Sequence, residues 1–151
     1  MDYLNIFFDL VVALLLGVVV GTERSFAHKT AGMRTYGLVS MGSALFVIIS
    51  RLISEHYIGL VDFDPSRVAA SVVMGVGFIG AGLIIFRDSK VNGLTTAAGL
   101  WVSAGVGMAA GFRLYGLAIM AAILTLATFT LLWFLEDKVK DASERIINGT
   151  E

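Results

Sequence analysis

The chain has 151 residues, of which 57% are hydrophobic and 15% are charged, whereas a soluble domain carries roughly 25% charged residues. A formal net charge of −1 provides no basic excess, which argues against a nucleic-acid partner. The absence of cysteine excludes disulfides, cysteine-ligated zinc and thiol catalysis.

Five apolar segments are long enough to cross a bilayer. The run 68–86 holds nineteen residues without a charge, and as a helix it would measure roughly 28 Å, close to the thickness of the hydrocarbon layer. Segments this long cross lipid as helices rather than as barrel strands. In chain order, the predicted spans are 4–22, 35–53, 67–86, 91–112 and 114–135.

The predicted fold is therefore an all-α, polytopic integral membrane protein with five transmembrane helices in a Gly-rich, tightly packed bundle. Residues 1–135 form its transmembrane domain, and residues 136–151 form a short cytoplasmic tail that extends the last helix. Asp64 is predicted to cap the third helix, with Pro65 at its first position.

The orientation is predicted from the basic residues. Five spans place eight Lys and Arg residues on one side of the membrane and three on the other. The positive-inside rule assigns the first group to the cytoplasm, with the N-terminus outside and the C-terminus inside. The first group is Arg24, Lys29, Arg34, Arg87, Lys90, Lys138, Lys140 and Arg145, and the second is Arg51, Arg67 and Arg113.

Glycines at short spacing predict where helices touch. The pairs Gly17/Gly21 and Gly107/Gly111 have the four-residue spacing that allows close approach of membrane helices. The stretch 75–80 matches a dinucleotide-binding fingerprint, but it lies inside an apolar span without the strand–turn–helix context that the fingerprint needs. We therefore expect the glycines of the third helix to pack it against Ala97, Ala98 and Ser103 of the fourth, forming the centre of the bundle. These packing glycines are Gly75, Gly77, Gly80 and Gly82.

Polar residues at three predicted helix ends form a candidate binding vestibule at the cytoplasmic edge. Charges near lipid tend to pair or to face a cavity. The alternative is that these groups only anchor helix ends, with arginine reaching the headgroups and threonine bonding to its own helix. The candidate residues are Glu23, Arg24, Arg34, Thr35, Asn92, Thr95 and Thr96.

Other polar residues provide weaker signals. Asp9 lies either at the outer interface or within the membrane, where an acid is suited to binding a cation or a proton. Asp62 and Asp64 are more typical of loop solvation and a helix cap than of magnesium ligands, and the metal question stays open. His28 and His56 are 28 residues apart and do not indicate a metal or catalytic pair. No catalytic residues and no cofactor are predicted.

Four stretches together resemble the MgtC/SapB family of bacterial membrane proteins. The resemblance implies an inner-membrane protein with an outside N-terminus, linked to magnesium limitation and to acid or host-related stress, and controlling other membrane machines such as the ATP synthase. Larger members carry a C-terminal domain that resembles ACT domains, and this chain resembles the short members. The matching stretches are LLLGVVVGTER (14–24), AGMRTYGLVSMGSALF (31–46), DPSRVAASVVMGVGFIGAGLI (64–84) and VNGLTTAAGLWVSAGVGMAAG (91–111).

The function predicted from the sequence is that of a non-enzymatic regulator in the bacterial inner membrane. Its expected partners are the lipid bilayer, a second copy of the chain in a homo-oligomer (a dimer favoured) and another membrane complex such as the ATP synthase, with no nucleic acid. The alternative is a small transporter or channel for an ion such as a divalent cation.

Overall fold

The computed structural model describes residues 3–56, 64, 66–87 and 89–148. Four helices in this part of the chain are long and apolar enough to cross a membrane, and a fifth, Ser66–Gly82, is shorter at 17 residues. The all-α prediction therefore fits, apart from one short hairpin. The elements are α1 (Tyr3–Phe26), α2 (Met33–His56), α3 (Ser66–Gly82), β1 (Ile85–Arg87), β2 (Lys90–Asn92), α4 (Leu94–Gly111) and α5 (Tyr115–Asn148).

The helices alternate in direction. Near the start of α1, Asp9 binds Arg51, which lies near the end of α2 and also donates a hydrogen bond to the carbonyl of Gly111 at the end of α4. At the opposite end of the bundle, Tyr36 near the start of α2 donates to the carbonyl of Thr96 near the start of α4. We call these the Asp9 end and the Arg24 end of the bundle.

The α3–α4 connection corrects two predicted boundaries. The third span was predicted to continue to Phe86 and the fourth to begin at Val91, but α3 ends at Gly82 and α4 begins at Leu94. Between them, β1 and β2 pair antiparallel, with Phe86 opposite Val91. Aromatic and β-branched side chains favour strands. The return into α4 uses Gly93 at a φ of 91°, in the left-handed region that glycine adopts without a steric penalty.

The cap of α3 is as predicted. The Asp64 carboxylate accepts a hydrogen bond from the backbone N–H of Ser66 at 2.9 Å. Pro65 and Asp62 lie outside the described residues. At the other end of the chain, α5 continues past the predicted domain boundary at 135 as far as Asn148, so residues 136–148 prolong the last helix.

The densest packing lies where α2 meets α1 and α4. A β-carbon at Gly17 would lie 2.6 Å from the carbonyl oxygen of Tyr36, and one at Gly111 would lie 2.8 Å from the carbonyl oxygen of Ala44. The backbones of these helices therefore touch, which only glycine permits. In the same region, the hydroxyl of Ser40 on α2 donates a hydrogen bond to the carbonyl of Ala13 on α1 at 2.7 Å.

The prediction that α3 and α4 form the centre through glycines is wrong within one chain. Of the four glycines, only Gly80 has a neighbour, with its β-carbon position 3.7 Å from Ala97. Gly75, Gly77 and Gly82 have no atom within 4 Å of that position. Of the predicted partners on α4, Ala98 is exposed, and Ser103 is buried but donates to the carbonyl of Tyr36 on α2.

Candidate functional site at the Arg24 end

A buried ion pair lies at the end of α1. The Arg24 Nε donates to the carboxylate of the adjacent Glu23, and the side chains are 5% and 18% exposed, respectively. The guanidinium carbon of Arg24 lies 3.8 Å from the ring centroid of Phe129 on α5. Cation–π contact with a buried aromatic ring stabilises a desolvated guanidinium. A cation in the last turn also interacts favourably with the negative end of the helix dipole.

A glycine on α4 makes room for this arrangement. A β-carbon at Gly99 would overlap the Phe129 ring and would lie 2.7 Å from the hydroxyl oxygen of Tyr36. That hydroxyl donates to the Thr96 carbonyl at 2.9 Å. Gly99 therefore lets α5 approach closely enough for Phe129 to cover the guanidinium of Arg24, and it leaves room for the hydroxyl of Tyr36.

The structure assembles only part of the predicted vestibule. Glu23 and Arg24 form its centre, and Thr96 is buried beside Tyr36, although it takes part through its backbone carbonyl. The remaining predicted residues lie at the same end, but among the described residues no hydrogen bond or ion pair joins them to Glu23 or Arg24. Thr35 is half-buried, and Arg34, Asn92 and Thr95 are exposed.

Sequence reasoning missed Tyr36, Gly99 and Phe129. Tyr36 follows Arg34 and Thr35 within a stretch that drew attention for its charge, and Gly99 carries no chemistry of its own. Phe129 stands in an apolar helix where no pattern distinguishes it from lipid-facing neighbours. The contact between α1 and α5 that makes it a site residue is visible only in the fold.

A second buried polar cluster lies at the Asp9 end. Asp9 is fully buried, and one carboxylate oxygen accepts hydrogen bonds from Arg113 at 3.2 Å and from Arg51 at 3.4 Å. The other oxygen accepts the hydroxyl of Tyr115. Asp9 is thus enclosed by the protein, and whether it lies at the outer interface or within the membrane stays a prediction. Because arginine and tyrosine donors already occupy both oxygens, the geometry supports an ion-pair lock rather than a cation site.

Among the described residues, no three His, Cys, Asp or Glu side chains lie close enough together to hold a metal ion. His28 is exposed in the α1–α2 loop, and the side chain of His56 is not described.

Comparison with known proteins identifies the family. The family model described as "MgtC family" matches residues 10–138. The chain is 47% identical to "Putative magnesium transporter YhiD" of Escherichia coli (strain K12), over 78% of this chain and 58% of that protein. It is 46% identical to "Protein MgtC" of Brucella abortus (strain 2308), over 80% of this chain and 48% of that protein.

A third relative extends the match along the chain. The "Protein MgtC" of Salmonella typhimurium (strain 14028s / SGSC 2262) is 38% identical over 91% of this chain and 54% of that protein. The chain thus spans about half the length of the curated relatives it matches. No solved structure matches. The apolar helices and these matches together indicate a multi-pass membrane protein, and the chain belongs to the MgtC family.

Proposed function

We propose that this chain is a non-enzymatic inner-membrane protein that regulates other membrane complexes and serves magnesium homeostasis and stress adaptation. The link to magnesium comes from the name of the Escherichia coli relative. The chain is embedded in the lipid bilayer, and its proposed protein partner is another membrane complex such as the ATP synthase. The regulatory site is the vestibule centred on Glu23 and Arg24.

One observation favours regulation over transport: the described residues provide no continuous row of buried polar groups between the two ends of the bundle. An ion crossing the membrane needs polar groups or water along its route. Between the two polar ends, the buried positions are largely apolar, including Ala44, Val47 and Val106. The hydroxyls of Ser40 and Ser103 are used to bond the backbone of neighbouring helices.

The second candidate is a small transporter or channel for an ion such as a divalent cation. It is favoured by the word "transporter" in the name of the Escherichia coli relative. Purified protein in liposomes separates the two functions, because a transporter produces flux by itself and a regulator does not. We expect no magnesium flux above protein-free liposomes, and robust flux would replace the regulatory proposal.

The vestibule is tested by growth at low magnesium. Glu23→Gln keeps the shape of the side chain and removes its charge, so we expect a folded, inserted protein that no longer supports growth. Arg34→Gln removes a cation from the same end and is expected to act in the same direction. Lys29→Gln is the control, because Lys29 is exposed in the adjacent loop.

The variants are compared at equal membrane abundance. Full complementation by both Glu23→Gln and Arg34→Gln would reduce these residues to helix anchors. A defect of equal size in Lys29→Gln would attribute the effect to surface charge in general and would also contradict the vestibule.

We further propose five spans with the N-terminus outside. The alternating helix directions are compatible with α3 as a fifth, short crossing, and the charge asymmetry of eight to three gives the orientation. A reporter fused after Glu151 should be active only if it is one that works in the cytoplasm. Activity of a periplasmic reporter at this position would overturn the five-span topology.

A homo-oligomer, with a dimer favoured, completes the proposal. The supporting feature is the small-residue face of α3, where Gly75, Gly77 and Gly82 meet nothing within the chain. Small residues let membrane helices approach closely. Cysteines introduced on this face should cross-link two copies in the membrane, while a cysteine in place of the buried Ser50, which is close to it in size, should not.

A further inference from the structure

The guanidinium of Arg24 has donors that its protein neighbours do not use. It carries five N–H groups, of which the one on Nε bonds Glu23. Among the described residues, nothing accepts a hydrogen bond from the two terminal nitrogens. Among the described residues, the one fully buried side-chain polar atom without a hydrogen-bond partner is the hydroxyl of Ser50, so the unpartnered terminal nitrogens of Arg24 are not completely enclosed by the protein.

This fork of donors is held in one orientation. Phe129 covers one face of the guanidinium at 3.8 Å, and the pair with Glu23 fixes its Nε edge. An immobilised guanidinium presents two parallel N–H groups that match the oxygens of a phosphate. Little side-chain entropy is therefore lost when an anion binds to it.

Glu23 adds a complementary acceptor beside the fork. One of its carboxylate oxygens binds Arg24, and no described residue donates to the other. The pair is neutral overall, so a simple anion would meet the repulsion of the carboxylate. A ligand that carries both a phosphate and a protonated amine would satisfy the two side chains together.

The pair stands in the last turn of α1, a helix long and apolar enough to cross a membrane, where lipid headgroups are expected. Trp133 follows Phe129 by one helical turn, about 6 Å along α5, and is exposed, as aromatic residues at a membrane interface are. At the same end, α4 begins only two residues before Thr96. We therefore expect headgroups of the adjoining leaflet to reach the terminal nitrogens of Arg24.

We propose that Glu23 and Arg24 bind the phosphoethanolamine headgroup of a membrane phospholipid. The phosphate accepts from the terminal nitrogens of Arg24, and the ammonium donates to the free carboxylate oxygen of Glu23. Phosphatidylcholine has the same phosphate and charge but no N–H to donate to Glu23. Phosphatidylglycerol has the phosphate but no ammonium group.

The wild-type protein provides the first test. It is purified in detergent with equal amounts of phosphatidylethanolamine, phosphatidylcholine and phosphatidylglycerol of the same acyl chains, and bound lipid is counted by native mass spectrometry. We expect phosphatidylethanolamine to be retained about tenfold or more over each of the others, as one charge-assisted hydrogen bond allows. Equal retention of the three lipids would overturn the proposal.

Variants assign the two contacts. Glu23→Gln should bring the preference over both other lipids to about one while phospholipid still binds, because the phosphate contact remains. Arg24→Gln should lose the bound lipid. Lys29→Gln should keep the wild-type preference. If Arg24→Gln does not fold, Glu23→Gln decides: an unchanged preference in that variant contradicts the proposal.

Soluble phosphoethanolamine distinguishes a lipid from a free metabolite. We expect it not to displace the lipid at equal concentration, because it lacks the acyl chains that hold the headgroup at this depth. Equal displacement would reassign the site to a free phospho-amine and overturn the lipid proposal.

This inference rests on the same vestibule as the proposed function, but the two fail separately. If growth depends on Glu23 but the protein shows no lipid selectivity, the regulatory proposal is retained and the lipid site is contradicted. Lipid selectivity of the wild type together with full growth of both Glu23→Gln and Arg34→Gln would support the lipid site and contradict the regulatory vestibule.

Discussion

Gly107→Ala is expected to destabilise the protein severely, although it adds a single methyl group. A β-carbon at Gly107 would overlap the carbonyl oxygen of Ser40 and would lie 2.7 Å from its α-carbon. Backbone atoms cannot rotate away as a side chain can, so α2 and α4 must separate. Overpacking of this kind costs about 1–3 kcal/mol or more, which exceeds the gain of up to about 1 kcal/mol when alanine replaces glycine in a helix.

Gly105→Ala is the matched control on the same helix. Its β-carbon would meet nothing within 4 Å, so the helix preference of alanine should leave stability unchanged or slightly higher. The measurement is thermal melting of the purified proteins in detergent, followed by the fraction that remains monodisperse on size exclusion. Equal melting of the two variants would contradict the close approach of α2 and α4.

Much of the fold follows from composition and periodicity along the chain. The apolar runs indicate all five helices because lipid leaves a polypeptide few other ways to bond its backbone. Asp64 indicates the start of α3 because a short polar side chain before a helix commonly caps its first backbone N–H groups. The spacing of Gly17 and Gly21 singles out a helix face that does lie against α2.

The β1–β2 hairpin could not be recognised in the same way. Ile85, Phe86 and Val91 are as compatible with a membrane helix as with a strand, and hydrophobicity alone does not separate the two. The decisive features are local: α3 ends at Gly82, and Gly93 takes a left-handed conformation before α4. The packing of α3 could not be predicted either, because its glycines indicate close contact with a helix but not which helix that is.

The candidate site was predictable only through its charged members. Glu23 and Arg24 stand out because charge is rare beside an apolar run. Phe129, which covers Arg24, and Gly99, which makes room for Phe129, lie far from Arg24 along the chain and have no distinctive chemistry. Arg34 had the right charge and the right end of the bundle, yet it is exposed and contacts neither Glu23 nor Arg24.

Asp9 stands out in the sequence as an acid within an apolar run, but its role does not follow from the sequence because its partners come from three other places in the chain. Arg51 comes from α2, Arg113 from the α4–α5 turn and Tyr115 from the start of α5. A single buried carboxylate thus joins α1 to the rest of the bundle at the Asp9 end. Removing one member of such a cluster leaves the others with donors that have no acceptor.

Asp9→Asn is therefore expected to lower stability strongly, because it removes the only negative charge that Arg51 and Arg113 share within hydrogen-bonding distance among the described residues. Breaking a buried ion pair costs about 3–5 kcal/mol, and the expectation lies toward the lower value because the arginine side chains are 21% and 45% exposed. Melting of the purified protein measures the loss. Glu136→Gln is the control, since it removes an exposed carboxylate of α5 remote from the Asp9 end and should change little.

The double variant Asp9→Asn/Arg113→Gln separates an ion-pair lock from a simple packing defect. If Asp9 acts through Arg113, the combined loss should be smaller than the sum of the two single losses, because the second change removes a cation that the first has already left unpaired. Additive losses would show that Asp9 and Arg113 act independently. Wild-type melting of Asp9→Asn would remove the lock altogether, since a fully buried carboxylate bound by three donors cannot be neutralised without consequence if those contacts stabilise the fold.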